Sequence, residues 1–236
     1  MAITTKTREI AAIALAHFWF KMFGTMAFTA VFFVAYLYLL KHPVFPTTTI
    51  PLTWFDRVVA FQPAALPVYL SLWPYVSLPP ILMTTRRQII AYGFRIAAVC
   101  LFAFAIFLFW PNEVPAADIN WSDYPGIMFL KNLDAAGNAC PSLHVATAVF
   151  SAFWLHWRLR YLRLGAAIQI VNIAWCVAIA YSTLATRQHV AIDVAAGTAL
   201  GLAGALLTGL KQHASPAREL ALALHNHGRN PIDTPI

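Results

Sequence analysis

Six long apolar runs, each parted from the next by a short polar or basic stretch, set the plan of this chain. They cover roughly residues 13–40, 63–83, 89–110, 141–158, 164–184 and 190–210. Each is close to the ~20 residues that an α-helix needs to cross the hydrocarbon core of a bilayer. No run alternates apolar and polar residues with a period of two, so nothing indicates a membrane β-barrel. Helix is the other backbone that satisfies its own polar groups in lipid. The pattern predicts an all-α integral membrane protein, a single domain over residues 1–236 with six transmembrane helices. The first run continues through Lys21 without a small-residue cleavage site and reads as a retained anchor. The second holds Pro63, Pro67, Pro74, Pro79 and Pro80, which predicts kinks and an ill-defined end. The last carries Gly197, Gly201 and Gly204, a small-residue face suited to close helix packing. After about residue 211 the chain reads as a short polar extension.

Composition agrees with that plan. The chain is 60% hydrophobic and 11% charged, against roughly 25% charged in soluble domains. A net charge of +7 does not make it a nucleic-acid binder, because the basic residues fall in short clusters between the apolar runs. Lys6, Arg8, Arg86, Arg87, Arg158, Arg160, Arg163, Lys211, Arg218 and Arg229 mark the two ends and the second and fourth loops. The other loops hold Lys41, Arg57, Lys131 and Arg187. Both termini are therefore expected on the cytoplasmic side, with the third loop, about 111–140, outside. Short loops on a six-span chain suggest a bacterial plasma membrane, with the active site on the periplasmic or extracellular side. Three cysteines make no CxxC pair, and nothing near Cys140 in sequence would activate it as a thiolate. His17 and His156 sit among apolar neighbours, as structural histidines do. His225 and His227 lack further ligands for a metal, and no metal or other cofactor is indicated.

Two polar runs interrupt this pattern. One is Pro141-Ser142-Leu143-His144; the other extends from Ser182 to Asp193. Polar groups within a membrane chain are held where they are used or mutually satisfied. Pro141 suits the first position of a helix, whose free N–H groups, with Ser142 and His144 beside them, would receive an anion. Alone, the same tetrapeptide is also a capped helix with an interfacial histidine. In the second run, Ser182, His189 and Asp193 fall seven and four residues apart and can share one helical face. Asp193 can then fix the tautomer of His189, although a structural His–Asp pair has the same spacing. His144 and His189 are separated by a helix, a basic turn and a second helix, so both can reach one membrane surface.

These runs resemble the second and third signature motifs of the type 2 phosphatidic acid phosphatase (PAP2) superfamily of membrane lipid phosphatases and phosphotransferases. Leu143 stands where the second motif commonly has glycine, as in the branch that includes inositol phosphorylceramide synthase-like proteins. Ser182, His189 and Asp193 match the third motif in register. The resemblance implies a phosphorylated lipid substrate, His189 as a nucleophile forming a phosphohistidine, Asp193 orienting it and His144 as general acid. Ser142 and Ser182 would help bind the phosphoryl group. Thr183 replaces the usual arginine, and Arg187, one turn further if the segment is helical, is expected to supply the charge. The first motif is not recognisable near Pro111–Ala117; Lys131 or Arg95 is its candidate substitute, each equally a snorkelling or ion-paired residue. Hydrolysis and transfer of the phosphoryl head group to another alcohol share the first step, and a degenerate transporter or lipid-binding site is a third expectation.

Overall fold

A computed structural model describes residues 2–134 and 137–209 of the chain. The predicted polar extension and His225 and His227 lie outside the described residues. The chain begins with α1 (Ala2–Leu15) and α2 (Phe18–Lys41), then β1 (Thr48–Thr49) and the short helices α3 (Trp54–Val58), α4 (Leu66–Leu70) and α5 (Leu72–Ile81). There follow α6 (Arg86–Phe109), β2 (Asn112–Glu113), α7 (Pro125–Asp134), α8 (Leu143–Tyr161), α9 (Ala166–Ala185) and α10 (Ala191–Gly209). Among the described residues four helices are long and apolar enough to cross a membrane: α2, α6, α9 and α10.

The two remaining predicted spans depart from that standard for different reasons. The second is cut into a 3₁₀ turn at Pro63–Ala65 followed by α4 and α5, as its prolines anticipate. Proline offers no N–H, so Pro80 leaves the carbonyl of Val76 without its helical donor. The Tyr92 hydroxyl approaches that oxygen at 3.4 Å from α6. The fourth predicted span, α8, is a continuous helix but carries His144, His156, Arg158 and Arg160. It can do so because it is the central rod of the bundle, packed by α10, α9, α5 and α6. Phe150, Trp154 and Leu155 are buried along it. A helix screened from lipid by its neighbours need not be apolar all round.

The first run also divides. His17 adopts a left-handed conformation (φ 56°) and separates α1 from α2. Ile13 of α1 is buried against the cluster that includes Leu72, Tyr75, Leu155 and Ile179. Lys21, just beyond the break, donates to the carbonyls of Ile13 (2.7 Å) and Ile81 (2.8 Å), and Arg158 donates to that of Leu82 (2.6 Å). These cations close the C-terminal ends of α1 and α5, where carbonyls lack helical donors.

Helices α8 and α10 touch backbone to backbone. A Cβ placed on Gly197 would collide with the Ser142 carbonyl oxygen, and one on Gly201 would lie 2.5 Å from the Ala146 oxygen. The small face read from the sequence is thus the contact surface that sets these two helices at a common level. At that same end, β1 and β2 pair in parallel and tie the exits of α2 and α6 together.

Gly201→Ala should cost roughly 1–3 kcal/mol, the usual penalty for forcing atoms into a packed interface. Gly93→Ala, whose added Cβ meets nothing within 4 Å, should leave stability unchanged or slightly raised. Thermal unfolding of the detergent-purified proteins checks this; equal melting temperatures for the two variants would refute the backbone contact.

Candidate active site

The first polar run forms the start of α8. Ser142 is the N-cap, its hydroxyl oxygen accepting from the Val145 amide at 3.2 Å. Pro141 therefore lies one residue outside the helix, not at its first position, because the hydroxyl of Ser142 takes over the capping. His144 falls in the first turn. Its ring stacks on Tyr69 with centroids 4.0 Å apart, and Trp73 meets it edge-on at 6.5 Å. Its Nε2 is 3.0 Å from the carbonyl oxygen of Tyr69. That carbonyl belongs to the last turn of α4, where helical oxygens lack an intrahelical donor.

The second run is not one helix, so the shared face expected through Ser182, Arg187, His189 and Asp193 does not exist. Helix α9 ends at Ala185, where the Thr183 carbonyl accepts from the amides of Gln188 and His189 (3.0 and 3.1 Å). Arg187 turns into the left-handed region, φ 57°. Helix α10 then begins at Ala191. The relation of His189 to Asp193 survives because both belong to the entry of α10. His189 Nδ1 lies 3.4 Å from Asp193 Oδ2, and the carboxylate is fully buried. The same Oδ2 accepts from the Val190 amide at 3.0 Å, the reciprocal half of a capping box. Asp193 is thereby held in place by its own helix.

The two runs meet directly. The Ser142 amide donates to the Asp193 carbonyl at 3.1 Å, next to the Gly197 contact. His144 and His189 both line one cavity of about 280 Å³, together with Asn138, Tyr69 and Tyr36. Away from the imidazoles its wall is apolar and follows a stripe of α2: Phe20, Gly24, Phe28, Phe32 and Tyr36. That stripe, repeating every four residues, runs for about 24 Å at the helical rise of 1.5 Å per residue.

The other expected site residues stand behind this wall. Ser182 is buried and donates to the Ile179 carbonyl at 2.6 Å, and Ser142 is buried as the cap of α8. Neither serine lines the cavity. The Arg187 guanidinium donates to the carbonyls of Asp56 (2.9 Å) and Val59 (2.8 Å). The candidate substitutes for the first motif are engaged elsewhere. Lys131 donates to the Arg187 carbonyl and lies over Trp121, and Arg95 lies over Trp154. Among the described residues no Lys or Arg lines the cavity, and no cluster of His, Cys, Asp and Glu is placed to hold a metal ion.

Sequence reasoning missed three residues that shape the site. Asn112 is buried beneath the loop into α8; it donates to the Trp110 and Cys140 carbonyls and accepts from the Ala139 and Cys140 amides, at 2.7–2.9 Å. No sequence signal marks it. The same holds for Tyr69, which acts on His144 through its ring and its main chain. Asp56 did have a signal: Thr53-Trp54-Phe55-Asp56 has the spacing of a capping box, and the structure forms one.

Cys140 is buried beside His144's helix, and burial, with the Asp193 carboxylate nearby, pushes its thiol up to about 11. A thiol raised in this way is protonated at pH 8, with roughly one molecule in a thousand as thiolate. Native protein should therefore resist alkylation at Cys140 at pH 8 and label at that site on denaturation. Mass spectrometry of the peptide reads the outcome, and rapid native labelling would contradict the buried, protonated thiol.

No curated protein and no solved structure was found to match the chain. A family model does: that of the PAP2 superfamily, over residues 91–215. The match takes in α8, α9 and α10 and both polar runs, just over half of the chain. Members of this superfamily are usually phosphatases or related enzymes acting on phosphorylated substrates. A helical chain whose paired imidazoles share one cavity at the entries of α8 and α10 thus belongs to the PAP2 superfamily.

Proposed function

We propose that this protein is an integral membrane lipid phosphatase that works through a phosphohistidine. The observation that carries the reading is the cavity: two imidazoles at one end of an apolar trough about 24 Å long, against the ~30 Å of a bilayer core. A phosphorylated lipid presents the same division between a polar head and a long apolar tail. In this reading α4–α5 and α8 complete six crossings, both termini are cytoplasmic, and the site opens on the far side.

The chemistry follows from which nitrogen is held. Asp193 faces Nδ1 of His189, which leaves the Nε2 lone pair for attack on phosphorus. The Tyr69 carbonyl holds Nε2–H of His144, so this residue serves as acid in its imidazolium form, which the negative charge of a bound phosphoryl group favours, and gives up the Nδ1 proton. As the N–P bond forms, the bond from phosphorus to the lipid oxygen breaks, and that oxygen takes the His144 proton. Water then attacks phosphorus and returns a proton to His144 while the N–P bond breaks.

One observation favours a second reading, head-group phosphotransfer to another alcohol. No cation lines the cavity among the described residues, and an uncompensated charge is costly to bury. A phosphodiester carries one negative charge where a phosphomonoester carries nearly two, and it is the donor a transferase would use.

Purified protein should be given short-chain phosphatidic acid, phosphatidylglycerophosphate, a polyprenyl pyrophosphate and a labelled phosphodiester lipid with an alcohol acceptor. Free phosphate indicates hydrolysis, and a new phosphodiester indicates transfer. His189→Ala should lower turnover by several orders of magnitude, since no neighbouring group can replace the nucleophile. Retention of most activity in that variant would reject the mechanism.

A further inference from the structure

We propose that residues 53–62 form a clasp that positions His189, with Asp56 and Arg187 as positioning residues and not as contacts to the phosphoryl group. This inference rests on the reading of His189 as the reacting residue. The loop that carries it, residues 186–190, lies between the end of α9 and the start of α10. Its amides are satisfied locally, by carbonyls of residues 182–184 and by the Asp193 carboxylate, while its two flanks, Ala185 and Ala191, are bonded by a segment more than a hundred residues earlier in the chain.

Four contacts make the clasp. Asp56 Oδ1 accepts from the Ala191 amide at 2.7 Å, one residue beyond the loop. Its Oδ2 accepts from the amide and hydroxyl of Thr53, each at 2.7 Å, which fixes the carboxylate from its own side. In the other direction, the two Nη atoms of Arg187 donate to the carbonyls of Asp56 and Val59, the C-terminal oxygens of α3. The Gln62 amide donates to the Ala185 carbonyl at 2.8 Å, at the end of α9. Val59, Leu184 and Ala185 close an apolar seam beneath these bonds.

Asp56 is therefore bonded on both sides of His189, through Arg187 before it and Ala191 after it. The carboxylate is buried, with 4% of the residue exposed. Its charge sits at the start of α10, where it opposes the helix dipole favourably. Charge-assisted bonds of this kind are directional and strong. They fix the entry of α10, and with it both the His189 ring and the Asp193 carboxylate that orients it. Arg187 is consumed in that duty, so its guanidinium is directed to α3 and away from the imidazoles.

The test uses the full-length protein in detergent with Asp56→Ala, Arg187→Ala, the double variant and the milder Thr53→Ala and Arg187→Lys. Two readouts are taken: steady-state kinetics on the best substrate, and amide hydrogen exchange over residues 183–193. Displacement of a reacting group by about 1 Å can cost on the order of 100-fold in rate. Each alanine variant should lose kcat on about that scale with KM little changed, and the double variant should be no worse than the poorer single. Exchange over 186–191 should quicken in all of them, and Thr53→Ala and Arg187→Lys should show smaller effects of the same sign. A rise in KM for Arg187→Ala with Asp56→Ala unaffected would overturn the proposal in favour of direct phosphoryl binding. Unchanged exchange in both alanine variants would overturn it as well. Should the wild type act on no phosphorylated lipid, the phosphatase reading fails while the exchange measurement still decides whether the clasp exists.

Discussion

The site depends on one contact, the meeting of α8 and α10 without side chains between them. Gly197 and Gly201 let the Ser142 and Ala146 carbonyls come against α10, and the Ser142 amide then reaches the Asp193 carbonyl. The two helices run in the same direction from this point, so their entries, which carry His144 and His189, are set at one level. Any side chain larger than hydrogen at the two glycines would part the helices and lift one imidazole from the other. In lipid, where the hydrophobic effect does not drive helices together, close packing of this kind is a main source of association.

The rest of the bundle protects and tensions that contact. Helix α8 holds most of the polar chemistry and stands at the centre, with α5, α6, α9 and α10 around it. Hydroxyl and amide pairs cross the interior, Tyr75 to Asn172 at 2.7 Å and Tyr92 to Ser151 at 3.1 Å. At the end away from the histidines, Lys21 and Arg158 neutralise the open carbonyls of α1 and α5. At the histidine end, Asn112 bonds the loop into α8 on both sides, and Asp56 with Arg187 ties the loop into α10 to α3. His144 thus follows, and His189 lies within, irregular backbone that is tied to distant segments. Irregular chain at the edge of a membrane is tolerated only where its polar groups find such partners.

Periodicity and composition alone determined that the chain is helical and apolar, that the second run would break at its prolines, and that α10 presents a small face. They also picked out His144, His189 and Asp193, because charged and polar side chains are rare enough in such a chain to stand out. Those are local properties: each is a statement about a residue and its neighbours within a turn or two. What Arg187 touches was not local. Its spacing from Ser182 placed it on a helical face, but the helix ends at Ala185, where the Thr183 carbonyl captures two amides. The guanidinium then turns to α3. Asn112, Tyr69 and Asp56 likewise act on residues from about 28 to 135 positions away. No periodicity records a main-chain oxygen left over at a helix end, or the buried side chain that answers it. Only the packed bundle decided which of the polar residues face the cavity and which are spent in holding it open.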